Sequence, residues 1–347
     1  MDSIIMPHGV SRPVKIWLFA ITVIVVVLIV FGGFVRLSQS GLSMVEWHIV
    51  TGIIPPVGEE AWQDAFEKYR RTPEFKQINT SMTVQAYKTI YLIEFTHRLI
   101  ARLAGLIVLL PLSLFLVKGI IPRRQSLPYL GIGGLFVLQG LFGWYMVQSG
   151  LVDQPHVSPY RLTIHLLTAL LILTISLWKG LQHTRLRRAS DRLVRGVYLK
   201  WLPYGLLGII ILQIVYGGLV AGLKAGTVSN TFPLMFGQWI PSGLFPAQKP
   251  WILNLVATEM TVHFVHRWLA FVVLAIAGLT YYILRLKGTS RLMQRTALTI
   301  LLLVGFQVLI GLGVILLSVP ISLALFHQAT AILVFSGAVF LIYQLHG

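Results

Sequence analysis

Four histidines stand inside long apolar runs of this 347-residue chain: His97, His165, His266 and His327. Polar side chains in such runs are costly and tend to serve a function. Each of the four lies about five to nine residues beyond the start of its run, roughly 8–13 Å deep at 1.5 Å per helical residue, so all four are expected at one level. They form two pairs, His97 with His165 and His266 with His327. Two imidazoles facing each other across a plane, on bundle helices with apolar walls, are what bis-histidine ligation of haem iron requires. Zinc would need three or four ligands converging on one point, and few carboxylates are near. The chain has no cysteine, which removes thiolate ligands, iron–sulfur clusters, disulfides and thiol catalysis together.

The neighbours of these histidines suggest roles. Arg98 and Arg267 directly follow two of them, near the outer boundary of their spans, where a guanidinium would meet a porphyrin propionate bidentately. Snorkelling to the interface is the alternative account; Arg102, one turn deeper than Arg98, fits that account less well. Glu94 precedes His97 by three residues and shares its helix face. A carboxyl group beside a haem edge could move protons or stabilise developing positive charge; an ion pair with Arg98 at i+4 is the structural alternative. In the second half His263 takes the place of Glu94, either as a hydrogen-bonding core residue or as an alternative ligand. This asymmetry implies that the two pockets do different work. His48 and His156 are expected in surface loops, and His8, His183 and His346 on the cytoplasmic side.

The elements that must hold these residues are membrane helices. Hydrophobic residues make up 56% of the chain and charged residues only 11%, against about 25% in soluble domains. A crossing needs about 20 apolar residues, and eight runs qualify: Trp17–Val35, Tyr91–Val117, Pro128–Val147, Tyr160–Trp178, Leu202–Gly222, Ala257–Leu284, Ala297–Val319 and Ile321–Leu345. The first is too long for a signal-peptide core and has no small-residue cleavage site. The net charge of +17 reflects orientation rather than nucleic-acid binding. Arg12, Lys15, Lys118, Arg123, Arg124, the basic cluster between Lys179 and Lys200, and Arg285, Lys287, Arg291 and Arg295 mark one side. With them stand only two acids, Asp2 and Asp191, so that side is cytoplasmic and holds both termini.

The chain also repeats. Glu94-Phe95-Thr96-His97-Arg98 matches His263-Phe264-Val265-His266-Arg267. Leu138-Gln139-Gly140-Leu141-Phe142-Gly143 resembles Phe306-Gln307-Val308-Leu309-Ile310-Gly311, and Phe31-Gly32-Gly33 resembles Tyr216-Gly217-Gly218. The glycines fit close helix contacts and the glutamines interhelical hydrogen bonds. The expected fold is all-α and polytopic, with eight transmembrane helices in two pseudo-symmetric four-helix bundles. The first bundle covers 14–178 and includes a long outer loop, 36–90. A cytoplasmic linker covers 179–201, and the second bundle covers 202–345. On the residues alone a di-haem electron-transfer cytochrome and a transporter using histidines as proton sites stay open.

The motifs, taken in order, resemble the haem A synthase family of proteobacterial and mitochondrial type. They are Glu94-Phe95-Thr96-His97-Arg98, the run Gly41-Leu42-Ser43-Met44-Val45-Glu46-Trp47-His48 followed by Gly52-Ile53-Ile54-Pro55-Pro56, and Asn230-Thr231-Phe232-Pro233-Leu234-Met235 with Gly237-Gln238-Trp239-Ile240-Pro241. The resemblance covers nearly the whole chain. It implies oxidation of the C8 methyl group of haem O to the formyl group of haem A, by successive hydroxylations and loss of water. It implies a haem b cofactor on His266 and His327, a substrate haem addressed by His97 and His165, and a catalytic need for Glu94. It further implies a bacterial inner-membrane setting among membrane lipid, beside haem O synthase and cytochrome oxidase assembly factors, with a homo-oligomer left open. Two departures stand out: the cysteine pair of some members is missing, and His263 stands where relatives are expected to carry glutamine.

Overall fold

In hydrocarbon a backbone must satisfy its own hydrogen bonds, so long apolar runs form helices. The computed structural model describes residues 11–46, 52–152, 154–184, 197–246 and 250–346. His8, Trp47, His48, Asp191 and the arginines 185, 187, 188, 192 and 195 lie outside the described residues. The helices are α1 (Arg12–Leu37), α2 (Glu59–Arg70), α3 (Pro73–Gln77), α4 (Val84–Val117), α5 (Leu127–Gln148), α6 (Pro159–Gln182), α7 (Val197–Gly222), α8 (Trp251–Ala257), α9 (Glu259–Leu286), α10 (Arg291–Leu316) and α11 (Ile321–Leu345). All but α2, α3 and α8 are long and apolar enough to cross a membrane, which makes the chain a multi-pass membrane protein.

Several helix ends differ from the sequence expectation for local reasons. The second span begins at Val84 rather than Tyr91, because the Thr83 hydroxyl accepts the Ala86 N–H at 3.3 Å and Tyr87 packs on Phe66 and Tyr69 of the α2 cap. The sixth begins at Glu259 rather than Ala257, because Thr258 is extended (φ −110°, ψ 118°) and parts α8 from α9. The seventh begins at Arg291, capped by Ser290, and ends at Leu316, where Ser318 and Val319 take positive φ and turn the chain into α11. Helices α6 and α7 reach Gln182 and start at Val197, so both ends of the expected 179–201 linker are helical.

The two halves pack alike. In the first, α1 touches α4 and α6, and α5 touches α4 and α6; in the second, α7 touches α9 and α11, and α10 touches α9 and α11. The halves meet through α6 with α7 and α1 with α11, so α1, α6, α7 and α11 form the inner layer. Their core includes Leu18, Ile21, Leu173, Leu206 and Leu341, all fully buried. At the end of the bundle nearest the histidines, Phe66, Tyr69 and Tyr87 form a separate aromatic cap with Trp62, Phe75 and Tyr91.

Candidate haem-ligand sites

The second half brings its histidines together. The rings of His266 on α9 and His327 on α11 lie 6.5 Å apart between centroids, with planes inclined by 72°. A metal–imidazole bond of about 2 Å puts each ring centre about 3 Å from the metal, so two rings on opposite sides of one iron stand about 6 Å apart. The observed separation fits one iron. The Nδ1 atom of His327 is buried and has no hydrogen-bond partner. No group of three or more histidine, cysteine or carboxylate side chains converges among the described residues, so a ligand set of two imidazoles with the other positions supplied by a porphyrin suits the site.

Each ring is seated by the neighbouring helix. A Cβ added at Gly217 of α7 would stand 3.3 Å from His266 Cε1, and one at Gly311 of α10 would stand 3.0 Å from His327 Cε1. One turn before each glycine a glutamine reaches across: Gln213 Nε2 donates to the His266 carbonyl at 3.1 Å, and Gln307 Nε2 to the His327 carbonyl at 2.8 Å. The first half repeats this clasp on α5, where Gln139 Nε2 donates to the His165 carbonyl at 3.0 Å and Gly143 would bring a Cβ to 3.1 Å from the ring. The interhelical role expected of Gln139 and Gln307 is therefore observed, with Gln213 added. Gly143, Gly217 and Gly311 thus receive imidazoles rather than a neighbouring backbone.

His97 on α4 is held differently. Gly32 of α1 seats its ring, with Nε2 3.2 Å from an added Cβ, but Leu28 stands where the pattern would put glutamine. Phe31 stacks on the His97 ring at 6.0 Å with planes 5° apart. Unlike those of His266 and His327, the rings of His97 and His165 make no ring contact with one another among the described residues. Three of the four histidines come six or seven residues after their helix starts at Pro159, Glu259 and Ile321, whereas His97 comes thirteen after Val84. The common depth expected from counting thus holds only where α4's outer extension is discounted.

Glu94 and Arg98 are both buried, at 3% and 7% exposure, and form the i+4 ion pair raised as the alternative reading: Glu94 Oε1 accepts from Arg98 Nη2 at 2.5 Å and from Nε at 3.0 Å. Its other oxygen, Oε2, accepts from the Ser43 hydroxyl at 2.7 Å and the Met44 N–H at 2.9 Å, while Arg98 donates to the Met44 carbonyl at 3.2 Å. The segment Gly41–Glu46 is thereby tied onto α4. Sequence reading placed Ser43 and Met44 in a motif without foreseeing this contact, since spacing carries no signal for a partner 50 residues away. In the second half Arg267, 5% exposed, donates to the carbonyls of Thr231 at 2.5 Å and Ser229 at 3.4 Å, so it holds down the other motif loop in the same way. No carboxylate pairs with Arg267 among the described residues, and its Nε is buried without a partner. His263, in Glu94's place, is 2% exposed with Nδ1 unpartnered. His156 is exposed, as expected; His183 and His346 bond Tyr129 and Tyr204.

Above Glu94, the cap carries a second buried carboxylate. Glu74 of α3 accepts the Tyr69 hydroxyl at 3.0 Å, and Asn79 donates to the same hydroxyl at 2.7 Å. Burial pushes the Glu74 carboxyl up to about 7, Glu94 nearby adds to the rise, and the Tyr69 bond and Lys224 oppose it. Nothing in the sequence around Glu74 distinguishes it from the other acids of the loop.

Fold and site together define a polytopic helical membrane protein with four histidines inside its spanning helices. The profile of the COX15-CtaA family, described as cytochrome oxidase assembly proteins, matches residues 15–339, and the chain belongs to that family. It is 40% identical over 334 residues to a heme A synthase of Wolbachia sp. subsp. Brugia malayi, covering 96% of this chain and 97% of that protein. A heme A synthase of Nitrosospira multiformis is 39% identical over 344 residues, covering 97% and 94%. One of Nitrosomonas eutropha is 42% identical over 330 residues, covering 94% and 92%.

Proposed function

We propose that this protein is a haem A synthase of a bacterial inner membrane, oxidising the C8 methyl group of haem O to a formyl group to supply haem A to cytochrome oxidase. The observation that carries the reading is the separation of His266 and His327, 6.5 Å between ring centres, on helices that two glutamine–glycine clasps hold in place. These two residues hold a haem b cofactor in the half spanning 202–345, and His97 and His165 receive the substrate haem in the half spanning 14–178. The cofactor haem supplies one-electron chemistry.

The asymmetry of the two arginines supports this division. A buried guanidinium bonded only to carbonyls is a receptor for an anion, so Arg267 binds a propionate of the cofactor. Arg98 already has its carboxylate in Glu94, and its work is to fix that carboxylate one turn from His97. Glu94 is then the catalytic group, holding negative charge at the substrate pocket where positive charge develops during oxidation of the methyl group. The basic segments support a cytoplasmic side for both termini and an outer position for the aromatic cap. Haem O synthase is the natural source of the substrate.

Haem extraction from the purified full-length protein tests the reading. Haem b together with haem O or haem A is expected. Two equivalents of haem b alone would instead make the protein a di-haem electron-transfer cytochrome, and a colourless preparation from haem-replete cells would end the haem reading.

A further inference from the structure

The Gly32-Gly33 step of α1 is the place where both histidine pairs reach the same short stretch of backbone. Gly32 seats the His97 ring. Gly33 seats Gln328 of α11, the residue directly after His327: a Cβ added at Gly33 would stand 2.0 Å from Gln328 Oε1. One turn earlier on α1, Gln328 Nε2 donates to the Ile29 carbonyl at 2.7 Å. The His97 ring thus packs on the same turn of α1 that holds Gln328, and Gln328 adjoins His327 in the chain.

The opposite seam between the halves is joined differently at the matching glycine. There Gly218 of α7 receives Thr163 of α6, whose hydroxyl would lie 2.8 Å from an added Cβ, but that hydroxyl donates within its own helix to the Pro159 carbonyl at 2.8 Å. An amide in hydrocarbon without a partner is costly, and a helical carbonyl has a second lone pair to offer. Gln328 therefore has a strong reason to stay on Ile29, and moving α1 at Leu28–Ile29 moves the residue next to His327.

We propose that Gln328 is a positioning residue that couples the two histidine pairs, so that a change at His97 is felt at the metal held by His327. The inference rests on the haem reading above. Coupling of this kind is a free energy shared between sites and is measured by a double-mutant cycle.

The test uses full-length protein in detergent and reads the midpoint potential of the haem held by His266 and His327 in four proteins: wild type, His97→Ala, Gln328→Met and the double variant. Methionine keeps the length of the side chain and removes its donor. His97→Ala is expected to shift the potential, and at least half of that shift should vanish in the Gln328→Met background; direct electrostatic effects of the first site are common to both arms. Gly33→Ala, which drives the amide off Ile29, should act like Gln328→Met. An equal shift in both backgrounds, or no shift in either, overturns the coupling while leaving the haem reading intact. Loss of the haem from both Gln328→Met and Gly33→Ala would mark a purely structural role and overturn it as well. A wild-type protein without haem would instead sink the functional reading.

Discussion

Glu94 and Arg98 clasp one another one turn apart on α4, with the carboxylate also holding Ser43 and Met44 of the first outer loop. Removing one member of a buried pair costs about 3–5 kcal/mol, because it strands the other charge. Glu94→Ala is therefore expected to destabilise the cap as well as to stop haem A formation. Glu94→Gln keeps one acceptor oxygen but strands the Arg98 charge and turns an amide N–H toward a donor, so it too should lower the thermal midpoint, and its haem A yield, read on the folded fraction, should collapse. A normal yield of haem A from Glu94→Gln would remove Glu94 from the chemistry. Both variants should keep the spectrum of the haem on His266 and His327.

For the ligands themselves, His266→Ala or His327→Ala should erase the haem b spectrum, whereas His165→Ala should leave it. Arg267→Gln should lower the haem-to-protein ratio of the purified chain to below half, since among the described residues the guanidinium has no carboxylate partner to lose. If absorbance spectra of His327→Ala matched the wild type, the assignment of the cofactor pair would be wrong.

Glycine seats predict a pattern of tolerance along α10. A methyl at Gly311 would press to 3.0 Å from the His327 ring, whereas nothing lies within 4 Å of one at Gly305. Gly311→Val should cut haem occupancy severely. Gly305→Ala should preserve it and leave stability unchanged or raised by about 0.5–1 kcal/mol, as glycine replacement in a helix does. Equal haem content in the two variants, measured by pyridine haemochrome, would deny Gly311 its role.

The cap should respond to pH through Glu74. Its carboxyl lies at about 7 in the fold, against 4.5 when unburied. The folded form thus holds a proton that the unfolded form has released, and this contribution to stability is complete below pH 4.5 and is lost as pH rises through about 7. It amounts to about 3 kcal/mol. Thermal unfolding of Glu74→Gln in detergent should show a smaller loss between pH 5 and pH 8 than the wild type shows. Identical pH profiles for the two proteins would mean that Glu74 is solvated.

How far the sequence reached can be judged at particular residues. The repeat of Glu94–Arg98 at His263–Arg267 was enough to pair the halves, and the glutamines Gln139 and Gln307 were recognisable as interhelical donors, because internal similarity and polarity in an apolar run are local properties. The start of α4 was not recognisable, since Val84 through Ile90 are drawn into helix by packing against α2, a contact that hydropathy does not record. Nor was Gln213 singled out, although it does for His266 what Gln307 does for His327.

Composition and order along the chain by themselves determined that eight helices cross a membrane and that histidines sit within four of them, because burying backbone in hydrocarbon admits few other solutions. Tertiary structure alone decided which groups meet: that the rings of His266 and His327 stand 6.5 Å apart, that Glu94 is held by a loop 50 residues earlier, and that Gln328 reaches Ile29 across 299 positions. Such meetings depend on how far helices approach and how each is rotated. Both are set by the summed packing of side chains along whole helices, which no single stretch of sequence contains.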